Sequence, residues 1–239
     1  VPPSNRFADW DPLFKLEEVE LIDMALPHFL HRDSCVAAAA TKKPILMEKP
    51  MATSIAEADE IMAAVADSGA PSCIVHNYLY SERTTAALEI LRNGDIGDRF
   101  LVRMEGLAKS HWHGAEGYDP AWRTRAARSG GGALIDNAYH NLYSCEAFMG
   151  SPITEVYARL GTFVRDIEVE DTVVMTLGHE NGGTTQILVG WSAGAAKPVQ
   201  EIHGSAGSML FDHDGHDLAV LRGDEWSYPE IPDDGCLWF

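Results

Sequence analysis

The chain has 239 residues, 46% of them hydrophobic and 23% charged, which is enough apolar material for one large or two small globular domains. With 36 acidic against 18 basic side chains the formal net charge is -18, and this balance argues against a nucleic acid or an anionic membrane as partner. No apolar run approaches the roughly 18 residues of a membrane span, and no signal-peptide pattern stands at the N-terminus.

The four cysteines lie far apart, and no two of them form a Cys-x-x-Cys pair. Neither a zinc ribbon nor a dithiol redox motif is therefore indicated. We interpret the cysteines as reduced thiols and expect a cytoplasmic protein.

The first 98 residues alternate between strand and helix patterns. Apolar runs predict strands over Val19–Leu26, Ile45–Met47 and Ser72–Asn77. Helical spacing predicts helices over Phe29–Ala40, Ile55–Ser68 and Glu82–Arg92. This alternation is typical of a parallel α/β sheet, in which ligands lie beyond the carboxyl ends of the strands. The segments at those ends are Leu26–His31, Glu48–Pro50 and His76–Tyr78.

The second half has a different pattern. A strand over Arg99–Leu107 is followed by a long loop, and a helix is predicted over Ile135–Phe148. After Pro152 the pattern is all strand, with a hairpin signal at Asn181-Gly182-Gly183. We expect a mainly antiparallel sheet with one face covered by the helix, and two domains, 1–98 and 99–239.

The predicted helix carries an acid and an imidazole directly after three glycines. Asp136 and His140 are four residues apart, so a regular helix places them on one face. Such a pair is what general acid–base catalysis requires. The alternative from the spacing alone is that Asp136 caps the first turn while His140 is an ordinary core or surface histidine.

An ordered set of motifs resembles the Gfo/Idh/MocA oxidoreductases, the family of glucose–fructose oxidoreductase and inositol dehydrogenase. The set comprises Pro27 with His31 four residues later, Glu48-Lys49-Pro50, His76-Asn77-Tyr78, Asn93–Gly97, Gly130–Gly132 through Asp136 to His140, Glu170-Asp171 and Ile202–Gly207. The resemblance implies a partial Rossmann domain for NAD or NADP, followed by an open, mainly antiparallel sheet domain that lines the substrate site. It also implies a homo-oligomer, a dimer or a tetramer.

The resemblance further implies which residues act. Lys49, Asp136 and His140 correspond to the residues that act on a sugar or cyclitol hydroxyl in the family. Histidine titrates near neutral pH, so His140 is the natural base, while Lys49 can stabilise a developing alkoxide. Asp136 can orient the imidazole or bind a neighbouring hydroxyl.

Cofactor contacts are expected from Pro27, His31, Glu48, Lys49 and Asn77, which lie at the predicted strand ends. Ordinary loop packing is the alternative for Pro27, His31 and Asn77, and His31 could also be a buried helix histidine. The alternative for Lys49 is a surface lysine after a strand.

The substrate pocket is expected to include Trp122 and Arg123, just before the glycine triplet. The alternative is that Trp122 only anchors the loop to the core, with Arg123 as its neighbour in that loop.

The chain departs from the family pattern in several places. The Gly-x-Gly-x-x-Gly unit has no match, nor has the last strand and helix, so we expect an internal fragment or a reduced relative that binds a dinucleotide poorly by itself. Tyr143 stands where the family has a second aspartate. His111 and His113, with His140 and Asp136, could in principle hold a metal, but solvent or substrate contacts are the favoured interpretation.

The leading functional prediction is therefore an NAD(P)-dependent oxidoreductase acting on a sugar, cyclitol or related polyol. One alternative is a family member that cleaves glycosides through transient oxidation. The other is a pseudoenzyme or assembly subunit that lacks the cofactor.

Overall fold

The computed structural model of the chain describes residues 6–109, 119–194 and 198–232. The helices are α1 Trp10–Phe14, α2 His31–Ala39, α3 Ile55–Ser68, α4 Glu82–Arg92, α5 Ala126–Ser129 and α6 Tyr139–Met149. The strands are β1 Ile22–Met24, β2 Ile45–Met47, β3 Ser72–Ile74, β4 Arg99–Leu107, β5 Ile153–Gly161, β6 Thr172–His179, β7 Thr184–Gly190, β8 Val199–Gly204, β9 Gly207–His213, β10 His216–Arg222 and β11 Glu225–Ser227. Among the described residues, no helix has the length and apolar character needed to cross a membrane.

The described residues form two compact units. One contains the chain up to Val75 together with Ala121–Gly131, and the other contains the described parts of 76–120 and 132–239. Helix α4 belongs to the second unit, although its sequence pattern continues the strand–helix alternation of the predicted domain 1–98. The domain bounds 1–98 and 99–239 stay a prediction.

The first unit contains a parallel sheet of order β1-β2-β3. Its apolar strand residues pack with α2 and α3 into one core. Helix α3 begins and ends where its signals predict, because the Ser54 hydroxyl accepts from the Glu57 N–H and Gly69 adopts the left-handed conformation after the last turn. Strand β1 is shorter than predicted and buried on one face only, since Asp23 is exposed between Ile22 and Met24.

The second unit contains a sheet of order β11-β10-β9-β8-β4-β7-β6-β5. Its neighbours pair antiparallel except β4 and β7, which pair parallel. Burial alternates along β6 and β7, and the buried side chains pack against α4 and α6. The predicted fold class, a partial Rossmann sheet followed by a mainly antiparallel sheet, is confirmed, while β11 was not predicted.

Candidate functional site

Glu170 holds the start of the segment that carries Asp136 and His140. Its side-chain oxygen Oε1 accepts from the N–H groups of Gly132 and Leu134, at 2.9 and 2.8 Å. Its backbone carbonyl accepts from the Ala133 N–H at 3.0 Å. These bonds satisfy donors that a helix start leaves without an intrahelical partner. Gly132 is required by space, because a Cβ there would lie 2.0 Å from the Glu170 carbonyl oxygen.

The helix predicted from Ile135 begins as a π turn, Leu134–Ala138, that continues into α6. Such turns insert an extra residue into a helix and often occur at functional sites. Asp136 and His140 are both buried, with 8% and 9% of their surface exposed. Asp136 lies in the π turn and His140 in α6, so the single regular helix expected from their spacing is interrupted between them.

The His140 ring is one of five neighbouring rings, which we call the aromatic cluster. The cluster comprises His76, Tyr78, Tyr139, His140 and Tyr143. The Tyr78 ring stacks on the His140 ring with centroids 4.1 Å apart and planes 10° apart, and His76 stacks on Tyr143 at 4.3 Å. The hydroxyl of Tyr143 lies 2.7 Å from His140 Nδ1, and that of Tyr139 lies 3.3 Å from His76 Nε2. The cluster therefore fixes the plane of the His140 imidazole.

Tyr143 has two further contacts in the same place. Its hydroxyl accepts from the Tyr78 backbone N–H at 3.3 Å and donates to Asn77 Oδ1 at 3.5 Å. Asn77, predicted as a cofactor contact, is exposed at the start of the 3-10 turn Asn77–Tyr80. The structure thus brings Asn77 to Tyr143, which in turn contacts His140.

Burial sets the protonation of the cluster. Burial raises the pKa of the Tyr78 hydroxyl. The charge of nearby Arg83 lowers this pKa, and the charge of nearby Asp136 raises it. Burial also raises the pKa of Tyr139 and lowers the pKa of His76. Near neutral pH the two phenols therefore keep their protons, and His76 is a neutral ring.

A cavity of about 180 Å³ lies in the second unit beside Tyr78. Its walls include the polar side chains of Glu105, Asn137, Asn141 and Gln200. Amide groups both donate and accept hydrogen bonds, so this lining suits a small ligand rich in hydroxyl groups.

In the first unit, the turns after β1 and β2 are joined by His31. Its ring nitrogens Nδ1 and Nε2 lie 2.7 Å from the Pro50 carbonyl oxygen and 2.8 Å from that of Leu26. His31 is 0% exposed. The bonds hold in place the segment that carries Glu48 and Lys49, both half-buried.

Trp122 is also buried in the first unit. Its ring meets the His28 ring edge-on at 4.6 Å, and the Arg123 guanidinium lies 4.4 Å from its centre. His28 Nδ1 lies 3.0 Å from the Ser129 carbonyl oxygen, and Pro27 begins the 3-10 turn that positions His28. This geometry favours Trp122 as an anchor for residues 120–129, and the substrate role of Trp122 and Arg123 stays a prediction.

Of the predicted catalytic residues, Asp136 and His140 lie together in the second unit, and Lys49 belongs to the first. His111 and His113 lie outside the described residues. Within the described ranges, no group of three or more His, Cys, Asp or Glu side chains is arranged to hold a metal ion.

Sequence reasoning assigned no role to Tyr78, Tyr143 or Glu170, although all three contact the segment around His140. The available signals were the spacing of Tyr143, three residues after His140, and the motifs that contain Tyr78 and Glu170. None of these signals specifies the contacts of Tyr78 and Glu170, which join residues 62 and 36 positions apart in the chain.

Two family models match the chain. The model described as GFO/IDH/MocA C-terminal domain matches residues 84–210, and the model described as an oxidoreductase family with an NAD-binding Rossmann fold matches residues 3–76. The second match contains the whole first sheet, and the first match contains β4 to β8 of the second sheet and the start of β9, while β10 and β11 lie beyond it.

Individual relatives are similar over most of the chain. Levoglucosan dehydrogenase of Pseudarthrobacter phenanthrenivorans is 24% identical over 239 residues, which cover 90% of this chain and 60% of that protein. A structure of levoglucosan dehydrogenase with NADH and levoglucosan is 25% identical with a TM-score of 0.83, covering 97% of this chain and 67% of that one. An oxidoreductase domain protein from Kribbella flavida is 28% identical with a TM-score of 0.80, covering 93% and 64%. The chain thus spans about three fifths of the curated relative's length.

Proposed function

Because the chain belongs to the GFO/IDH/MocA oxidoreductase family, we propose that the protein transfers hydride between NAD or NADP and a sugar, cyclitol or related polyol. The observation that carries the proposal is the position of His140. Its imidazole is buried, stacked on Tyr78 and hydrogen-bonded at Nδ1 to Tyr143, in the part that matches the family's C-terminal domain. A base held in this way can remove a hydroxyl proton.

The residues of the first unit fit the nicotinamide end of a dinucleotide. Glu48 and Lys49 follow β2 at the carboxyl edge of a parallel sheet, where a carboxylate can accept hydrogen bonds from ribose hydroxyls. The 98 N-terminal residues contain no Gly-x-Gly-x-x-Gly sequence, so the pyrophosphate contact of that motif has no counterpart among them. When bound, the nicotinamide supplies a hydride acceptor. Since His31 is fully buried, its proposed role is to hold the Glu48–Pro50 turn.

Three side chains carry the proton chemistry in this proposal. His140 takes the hydroxyl proton as the alcohol becomes a carbonyl, and it returns that proton in the reverse direction. Lys49 presents a positive charge to the developing alkoxide. Asp136, buried one turn before His140, binds a neighbouring hydroxyl or stabilises the imidazolium by its charge.

The substrate class rests mainly on the relatives, and the cavity beside Tyr78 adds a suitable lining, although neither Asp136 nor His140 is among its described wall residues. Its amide-rich walls suit hydroxyl groups, and the relatives include proteins named levoglucosan dehydrogenase and D-apiose dehydrogenase. We assign Trp122 and Arg123 to the substrate site by the family resemblance, and Pro27 and Asn77 to the surroundings of the cofactor.

Two wider properties follow as proposals. Val156, Tyr157 and Leu160 are exposed on β5, at the edge of the sheet, and would be covered in a homo-oligomer. Sedimentation of the purified protein tests the homo-oligomer, and a monomer at micromolar concentration would contradict it.

The described cysteines, Cys35, Cys73 and Cys145, are free thiols, which suits the reducing cytoplasm.

The activity is tested by mixing the gene product that carries this sequence with NAD⁺ or NADP⁺ and a panel of sugars and cyclitols. We expect reduction of the nicotinamide, seen as an increase in absorbance, with at least one polyol. Dinucleotide binding without turnover of any polyol would contradict the substrate class. Failure to bind either dinucleotide would contradict the proposal as a whole.

A further inference from the structure

The direction of the hydrogen bond between Tyr143 and His140 depends on the other partners of the Tyr143 hydroxyl. A neutral imidazole carries its proton on one ring nitrogen, and the partner of the other nitrogen decides which tautomer is stable. Only a ring whose Nε2 lacks a proton can act as a base through Nε2. The partner at Nδ1 is the Tyr143 hydroxyl, 2.7 Å away.

The Tyr143 hydroxyl has one proton to donate. It makes a donor contact to Asn77 Oδ1 at 3.5 Å and accepts from the Tyr78 backbone N–H at 3.3 Å. With its proton directed to Asn77, the phenol oxygen is left to accept from His140 Nδ1–H. The reverse arrangement, in which Tyr143 donates to Nδ1, would place the His140 proton on Nε2.

We propose that Tyr143 is a positioning residue that holds His140 as the Nδ1–H tautomer, with Asn77 as the acceptor that gives the Tyr143 hydroxyl its direction. Tyr143 thereby replaces the second aspartate of the family pattern by a neutral group. The same contact serves after proton uptake, because an imidazolium donates from both nitrogens and Tyr143 still accepts at Nδ1. This inference deepens the proposed function and rests on His140 acting as its base.

The neighbouring titratable groups are consistent with this role. Asp136 lies one turn before His140, Tyr78 stacks on it, and His76 stacks on Tyr143. Burial raises the pKa of Tyr78 and lowers the pKa of His76, so both are neutral near pH 7. Asp136 supplies a negative charge, which stabilises an imidazolium but does not choose between the two neutral tautomers.

The test is a ring-nitrogen NMR spectrum of the ¹⁵N-histidine-labelled protein, without substrate or dinucleotide. Spectra are recorded at increasing pH up to about 8.5, two units above the ordinary histidine pKa, and the tautomer is read where the ring signals no longer change with pH. The His140 signals are identified by their loss in His140→Gln. We expect the proton on Nδ1 in the parent and a shift of the proton population towards Nε2 in Tyr143→Phe.

Two further variants make the test specific. Tyr139→Phe removes a neighbouring hydroxyl that contacts His76, so the His140 tautomer should not change. Asn77→Ala keeps Tyr143 but removes the acceptor of its proton, so the tautomer should again move towards Nε2–H. Since Asn77 is exposed, this variant decides the matter even where Tyr143→Phe does not fold.

A parent spectrum with the proton on Nε2, or His140 signals unchanged in both Tyr143→Phe and Asn77→Ala, would overturn the proposal. Because the measurement needs no turnover, its outcome is separate from the activity. An Nδ1–H tautomer in a protein that oxidises no polyol would leave the Tyr143 assignment standing and reject the proposed function.

Discussion

Replacing Asp171 by asparagine tests the buried carboxylate next to Glu170. Asp171 is 0% exposed, and its two side-chain oxygens accept five hydrogen bonds. The donors are the N–H groups of Phe163, Val164 and Arg165, at 3.1, 2.9 and 3.0 Å, and the hydroxyls of Thr172 and Ser192, at 2.9 and 3.0 Å. The carboxylate thus holds the loop after β5 against the start of β6 and the end of β7.

The cost of the change follows from these donors. An asparagine keeps one oxygen but turns the other acceptor into an NH₂ group. If that group takes the Oδ1 position, it faces the Phe163 N–H, and an unsatisfied buried donor costs about 1–3 kcal/mol. The remaining bonds lose their charge assistance, so we expect Asp171→Asn to lower the free energy of unfolding by about 3–5 kcal/mol in all.

Calorimetry of the purified protein at pH 7 measures the effect. For a chain of this size, 3–5 kcal/mol corresponds to a melting temperature lower by about 6–20 °C. The matched control is Asp166→Asn, the same substitution at an exposed position of the same loop, which should stay within about 0.5 kcal/mol of the parent. Equal melting temperatures for the two variants would refute the role assigned to Asp171.

The stabilisation of the fold by the Asp171 carboxylate depends on pH. Burial alone would raise the pKa of Asp171, but the N–H groups of Val164, Phe163 and Arg165 and the Thr172 hydroxyl outweigh it and hold the pKa well below its usual range. A depressed carboxyl pKa stabilises the fold above the unfolded value of about 3.9, and this stability is lost as the pH falls towards the folded pKa. The difference between parent and Asp171→Asn should therefore shrink below about pH 4, and a difference that grows there would contradict the account.

Three further predictions concern the second unit and the thiols. Gly132→Ala should destabilise the fold by about 1–3 kcal/mol, because its Cβ would overlap the Glu170 carbonyl, whereas Gly194→Ala, which has open space, should not; urea unfolding compares them. Glu170→Gln should cost about 1–2 kcal/mol, since two N–H groups lose a charged acceptor, and an unchanged unfolding midpoint would reject its capping role. Burial raises the pKa of Cys145 to about 12, so iodoacetamide should label exposed Cys73 in the native protein long before Cys145, as mass spectrometry can show.

Local signals in the sequence predicted the elements well. Helix α3 was predicted at its observed bounds because its cap residue, Ser54, and its terminating residue, Gly69, act on their own neighbours in the chain. The strand and helix patterns likewise predicted a parallel sheet followed by a mainly antiparallel sheet, and the helix with Asp136 and His140.

The site could be predicted only in part, because its details depend on contacts between distant residues. The π turn at Leu134–Ala138 begins at a residue whose N–H group bonds to Glu170, some 36 residues later in the chain. Tyr78 reaches His140 across 62 residues, a contact that no periodicity encodes. The role of Tyr143 was uncertain for the same reason, since its partners are a ring on its own helix and a turn far away in sequence.

The most direct test of the central claim compares His140→Ala with the parent in the polyol oxidation assay. We expect turnover to fall about 100-fold or more while the affinity for the dinucleotide changes little, because in the proposed mechanism His140 moves the proton and does not hold the cofactor. His216→Ala, at an exposed position on β10, should turn over like the parent. Undiminished turnover in His140→Ala would remove His140 from the mechanism and contradict the account.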